Sequence, residues 1–263
     1  MTQKSDWLFR VYLVIFLAYL LLPLVVMGGA AFNDTRFPSV FPWQGFTLQW
    51  FVELWNDARL LNAFKNTLLV ALAVVAISVP IGTAAAILVN NLGGTLRSTL
   101  YGMMVAPVLT PGAVIGISTL LFWNSLGVAP GLHLAVLGQA SYISAFVMLL
   151  VLARLQSFDR SLEEAALDLG ASHMMVLRRI LLPHLYPALG AGAVIAFFQS
   201  IENFNVTLFT RGPYDTLTVY VFSKVRSGIT PTINALCVIL IAATLLGVLI
   251  IEIRRRSVGR PQV

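Results

Sequence analysis

The chain has 263 residues, 58% of them hydrophobic and 11% charged, with a formal net charge of +6 at pH 7. Ordinary soluble domains carry roughly a quarter charged residues, so a mean hydropathy of +0.86 excludes that class and marks an integral membrane protein. The pI of 9.8 needs no nucleic acid to account for it, because cytoplasmic loops of membrane proteins are enriched in Lys and Arg.

Apolar runs long enough to cross a bilayer fall at residues 8–32, 67–89, 99–123, 132–153, 188–209 and 233–251, since about 20 such residues span the hydrocarbon core. Six helices are expected. In the first run Gly29, Ala30 and Ala31 resemble a cleavage site, but the run exceeds the roughly 7 to 15 residues of a signal-peptide core, so an uncleaved anchor is expected. The loop near 33–66 carries Trp43, Trp50 and Trp55, which suit a segment lying at the membrane interface. In the third run Pro107 and Pro111 surround Leu109 and Thr110. Such a break frees carbonyls that a cavity or a neighbouring helix can satisfy, so a pathway element and a packing kink both fit. The loops at 91–98 and 127–131 are short and carry no chemistry.

Between the fourth and fifth runs lies the polar stretch EEAALDLGASHMMVLRRILLPHLYP, from Glu163 to Pro187. Ser161 and Glu164 have the spacing of a capping box. Leu162, Ala165, Ala166 and Leu169 follow at i, i+3, i+4 and i+7 as one flat apolar face. Gly170 ends this helix, Ser172 caps a second, and Pro183 closes it. Such a bracket suits insertion into a groove on another protein or a hairpin on the membrane surface. A DNA-binding helix-turn-helix has similar spacing, but Arg154, Arg160, Arg178 and Arg179 are balanced by Asp159, Glu163, Glu164 and Asp168, leaving no basic footprint for phosphates.

The fifth run contains Gln199, Ser200, Glu202, Asn203, Asn205 and Thr207. A carboxylate at mid-bilayer costs roughly 2.5 to 3.5 kcal/mol on insertion scales and normally faces protein or water. Gln199, Glu202, Asn203 and Val206 lie along one helical side, with Phe198 beside them for a cation–π contact, as an amine pathway requires. A packing role for Glu202 is the alternative. Cys237 stands alone in the last run, and His133, His173 and His184 share no ligand spacing, so no disulfide or metal site is expected. The phosphate-loop pattern is missing from the sequence, and ATP hydrolysis by this chain is not expected.

Eleven of the 17 Lys and Arg residues, among them Lys4, Arg10, Arg97, Arg154, Arg160, Arg178, Arg179, Arg254, Arg255, Arg256 and Arg260, fall on one side. That places both termini and the polar bracket in the cytoplasm. With no clear repeat or linker, residues 1–263 are expected to form one membrane domain, with the cytoplasmic loop at about 154–187.

Glu164, Ala165 and Ala166, then Gly170, then Ile180, Leu182 and Pro183 resemble the EAA loop of ABC importer permeases. The likeness extends to the six runs, the long first outer loop and the Gly212–Pro213 pair, and is greatest to C-type permeases of spermidine/putrescine importers. It implies an all-α type I importer fold (MetI-like), with Glu164, Ala165, Ala166, Asp168, Gly170, Ile180, Leu182 and Pro183 coupling to a cytoplasmic ATPase. It also implies a bacterial inner-membrane location, a second related permease subunit, an ATP-binding subunit dimer and a periplasmic substrate-binding protein. The resemblance further implies that this chain binds no cofactor and that ATP and Mg belong to the ATPase. The pathway set is Phe198, Gln199, Glu202, Asn203 and Asn205. Polyamine members tend to carry two adjacent acids where this chain has Glu202 and Asn203, and an acid where it has Gly112. Fewer carboxylates leave open other polar solutes of related importers: opines, aminophosphonates or ferric ion. A proton-coupled secondary transporter using Glu202 and a membrane-anchored signalling scaffold are the readings from other classes.

Overall fold

An apolar segment in lipid must satisfy its backbone internally, and a helix does so without a partner. A computed structural model of the chain describes residues 3–228 and 230–258. In chain order it contains α1 (Gln3–Phe32), α2 (Gln49–Asn56), α3 (Ala58–Asn91), α4 (Gly94–Val105) with a 3₁₀ turn Ala106–Leu109, α5 (Gly112–Ser125) and α6 (Leu132–Leu155). There follow α7 (Ser161–Asp168), α8 (His173–Val176), a π turn Leu177–Leu181, α9 (Leu182–Ile201), α10 (Asn205–Thr210), α11 (Leu217–Ser227) and α12 (Pro231–Val258). Arg260, one of the charges used to orient the chain, lies outside the described residues.

Among the described residues five helical stretches are long and apolar enough to span a bilayer: Trp7–Phe32, Ala58–Asn91, Leu132–Leu155, His173–Ile201 and Pro231–Ile250. The expected third span is broken. Gly94–Leu109 and Gly112–Ser125 meet at 106°, making six spans if this pair counts as one. The residue before a proline is pushed to extended backbone, and Thr110, preceding Pro111, adopts φ −90°, ψ 133°. The fifth span is also interrupted: its helix stops at Ile201 rather than running to 209, and α10 begins after Glu202, Asn203 and Phe204.

The chain forms two compact units, Met1–Leu60 with Val221–Val263, and Leu61–Tyr220. In the first, α12 packs against α1 and α2. The α1 side chains from Trp7 to Val26 are exposed, as a lipid-facing helix requires. Asn33 organises the outer loop: its amide donates to Ser39 O at 2.9 Å and Pro42 O at 3.1 Å and accepts from Gln44 N at 2.8 Å. Trp50 donates to Asn33 O at 2.9 Å, while Trp43 and Trp55 stay exposed.

In the second unit α6 is central. Its faces are buried along most of its length, against α9, α5 and α10. Glycines permit the closest approaches: a Cβ on Gly82 would lie 2.5 Å from Ser144 O, and one on Gly116 2.9 Å from Val206 O. The Gly212–Pro213 corner has the same basis, since Gly212 sits at φ 62° with its Cα against the Pro130 carbonyl. The Gly116 approach draws the two broken spans together, α5 against α10.

Candidate functional site

The polar bracket is a short helix, a left-handed turn and a helix that does not stop. α7 begins one residue earlier than a Ser161 cap requires, because Arg160 already has helical angles, φ −64°, ψ −23°. The capping box therefore does not form. Asp159 Oδ1 accepts the Ser161 N–H at 3.0 Å, and hydrogen bonds from the Ser161 hydroxyl and then its backbone hold the Asp159 carboxyl below the usual carboxylate range. At the other end Gly170, at φ 87°, closes a Schellman turn. Gly170 N donates to Leu167 O at 2.9 Å and Ala171 N to Ala166 O at 3.0 Å. Ser172 caps α8 as expected, accepting from Met175 N at 3.3 Å.

Pro183 does not end the second helix. A proline inside a helix clashes with the carbonyl four residues back, here Arg179. The π turn Leu177–Leu181 widens the backbone at that point and lets α8 run into α9. Ile180, Leu182 and Pro183 consequently lie on the long helix, away from the turn at Gly170. The bracket is tied to its unit at the base: Arg154 Nε donates to His184 O at 3.1 Å, Arg160 Nη2 to Asn90 O at 3.2 Å, and the Phe158 ring meets the His184 ring edge at 5.1 Å. The α7 face points away from the chain. Leu169 is 89% exposed and Leu162 53%, with Glu164, Ala165 and Asp168 also exposed and Ala166 half-buried.

The two broken spans and α6 border an open cavity of about 230 Å³. Gln199, Asn203 and Asn205 line it, together with Pro107, Thr110 and Gly112 from the third span. Glu202 and Phe198 do not. Because α9 ends at Ile201, Gln199, Glu202, Asn203 and Val206 share no continuous helical face. Glu202 is an exposed residue at the helix end, its N–H bonded to Phe198 O at 3.1 Å, and Phe198 is 62% exposed. Glu202 directly precedes Asn203, which lines the cavity.

Tyr142 and Phe146, edge to face at 6.3 Å, complete the lining from α6, and Gln139 lies buried behind them. Sequence reasoning passed over these three. The available signal was Gln139, Ser141, Tyr142 and Ser144, polar groups placed within an apolar run much as in the fifth. Asn203 joins the wall to the break: it donates to Tyr142 Oη at 2.6 Å and accepts from Val206 N at 3.2 Å and Thr207 N at 3.3 Å, capping α10. The cavity thus offers amide, hydroxyl and aromatic groups. Among the described residues no cluster of His, Cys, Asp and Glu is arranged to hold a metal.

Residues 78–260 match the family model described as binding-protein-dependent transport system inner membrane component. The spermidine/putrescine transport system permease protein PotC of Escherichia coli (strain K12) is 33% identical over 241 residues, covering 91% of this chain and 90% of PotC. The putrescine transport system permease protein PotI of the same strain is 32% identical over 248 residues, covering 91% of this chain and 87% of PotI. Among solved structures, a bacterial ABC transporter involved in the import of the acidic polysaccharide alginate aligns with a TM-score of 0.75 at 19% identity, covering 98% of both chains. The MetNI methionine ABC transporter in an inward-facing conformation aligns with a TM-score of 0.64 at 19% identity, over 80% of this chain and 99% of that one.

Proposed function

The chain belongs to the family of binding-protein-dependent transport system inner membrane components, and on that premise we propose that it is one permease subunit of an ATP-driven importer, forming half of the pathway for a polyamine or similar small amine. The observation that carries the importer reading is the bracket. A small-residue helix and a Schellman turn stand clear of the chain, yet their base is bonded to α3, α6 and α9. A groove on an ATPase that gripped this turn would move long helices with it. Glu164, Ala165, Ala166, Asp168 and Gly170 form the gripped surface, and Ile180, Leu182 and Pro183 carry the movement into α9.

The partners in this reading are a second related permease, an ATP-binding subunit dimer that holds ATP and Mg, and a periplasmic substrate-binding protein. Residues 1–263 act as one permease domain with both termini cytoplasmic. As a transport component the chain is not itself an enzyme. The amine is supported by the likeness to PotC and PotI and by an aromatic and amide-lined cavity with Glu202 near its rim. The absence of a carboxylate from the cavity lining favours, as a second reading, a polar solute of lower positive charge such as an opine or an aminophosphonate, whereas ferric ion, the other solute of related importers, would want carboxylates there. Glu202, exposed at a helix end, is poorly placed for the enclosed proton relay of a secondary transporter.

The test is reconstitution of the co-purified complex with its binding protein. ATP-dependent accumulation of labelled putrescine or spermidine is expected. A chain that purifies without any ATPase would overturn the importer reading, and an active importer indifferent to both amines would overturn the substrate.

A further inference from the structure

The hydrogen bonds behind the cavity wall run in one direction, and the backbone decides which. Asn203 Oδ1 faces the N–H groups of Val206 and Thr207 at 3.2 and 3.3 Å. Both are donors only, so this atom is the amide oxygen, and Nδ2 is the atom 2.6 Å from Tyr142 Oη. The Thr207 hydroxyl gives its hydrogen to the same oxygen at 3.3 Å and therefore accepts from Gln139 Nε2 at 2.8 Å. Gln139 Oε1 is left to accept from Ser200 Oγ at 2.5 Å. Each group hands a hydrogen on toward Tyr142, which receives one and, among the described residues, passes none on. Tyr142 lines the cavity, and a phenol that has accepted a hydrogen bond is the stronger donor of its own.

We propose that Tyr142 is a specificity-determining residue of the pathway, whose hydroxyl donates to an oxygen on the passing solute. The solute class is then a small amine that also carries an oxygen acceptor. The inference rests on the amine-importer reading above and narrows it. A fully protonated diamine brings only donors, which leave the Tyr142 hydrogen without a partner on the solute. An amine with an oxygen at its other end meets the phenol with that oxygen, while the Gln199 and Asn205 amides on the same cavity offer carbonyl oxygens to the ammonium.

The complete importer, reconstituted with its binding protein, is assayed with 4-amino-1-butanol and with putrescine, which differ only in a terminal hydroxyl against a terminal amine. The binding protein is expected to hold both. Tyr142→Phe removes the donor and should lower the ratio of amino-alcohol to putrescine uptake about three- to tenfold. Asn203→Asp keeps an acceptor for the Val206 and Thr207 N–H groups but cannot donate to Tyr142. The phenol then turns its hydrogen to the new carboxylate and shows the cavity an oxygen; because the added charge by itself favours the dication, the deciding comparison is the double variant, in which Tyr142→Phe should lower the ratio no further once Asn203 is Asp. An unchanged ratio in Tyr142→Phe overturns the proposal, as does a binding protein or wild-type importer that takes putrescine alone. If neither solute is held or moved, the amine-importer reading itself fails.

Discussion

Glu202 was the residue whose type drew most attention in the sequence, and its setting determines what removing its charge should do. A carboxylate enclosed in a span would make Glu202→Gln a loss of tenfold or more in uptake. On this chain taken alone the end of α9 is exposed and Glu202 lies outside the cavity lining, so in an aqueous pathway its charge would act at a distance and through ions. It adjoins Asn203 of the cavity lining and so remains near enough to act on a cation approaching the cavity. Glu202→Gln should therefore lower amine uptake about two- to fivefold, with assembly unchanged and the effect shrinking as salt is raised. Uptake at the wild-type rate in low salt would rule out even this role. Side-chain type singled out Gln199, Asn203 and Asn205 in the fifth run, and all three line the cavity. The break after Ile201 was not legible, because it arises when Asn203 spends its oxygen on the N–H groups of α10, and IENFN has no Pro or Gly to announce it.

The bracket as an element separates local backbone strain from docking. Gly170 lies at φ 87°, and a Cβ placed there would meet nothing within 4 Å. A side chain at this turn costs only the left-handed conformation, about 1 to 2 kcal/mol and less for Asp or Asn. Gly170→Asp should leave membrane abundance near normal and cut ATPase co-purification and uptake tenfold or more, because the clash lies in the partner's groove. A variant that retains its ATPase would place the docking surface elsewhere. The start of α7 also depends on pH. Its Asp159 carboxyl titrates below the usual range because of Ser161, so the stabilisation is complete above the unfolded carboxylate pKa of about 4 and is lost as pH falls through the lowered folded value. Hydrogen exchange at the first turn of α7 should accelerate, relative to the rest of the helix, below about pH 4, and Asp159→Asn should flatten that dependence. Identical profiles in both proteins would remove Asp159 from the account. The Gly170 turn and the Ser172 cap were legible because each depends on one residue. The Pro183 stop was misread because the π turn that absorbs the proline leaves no composition signal.

At the scale of the whole molecule, the six apolar runs were legible from length alone, and the prolines marked where the third would bend. What one chain supplies to transport is a partial wall. Its cavity is lined by Thr110, Tyr142, Gln199, Asn203 and Asn205, while Val114, Ile117 and Leu121 of α5 and Val194, Ile195 and Phe198 of α9 remain exposed. A cation moving between this wall and lipid would meet hydrocarbon on one side, at a cost of roughly 2.5 kcal/mol or more per charge. A second polar wall must face the first, and in this family's binding-protein-dependent arrangement a second permease is the protein to provide it. Reconstituted alone in vesicles, the chain should move neither putrescine nor 4-amino-1-butanol, whether ATP or a proton gradient is supplied. Adding the ATPase without the second permease should not restore transport; adding both, with the loaded binding protein outside, should make uptake depend on ATP and not on the proton gradient. Gradient-driven uptake by the lone chain would instead make it a secondary transporter, and ATP-driven uptake without the second permease would mean that two copies of this chain build the pathway between them.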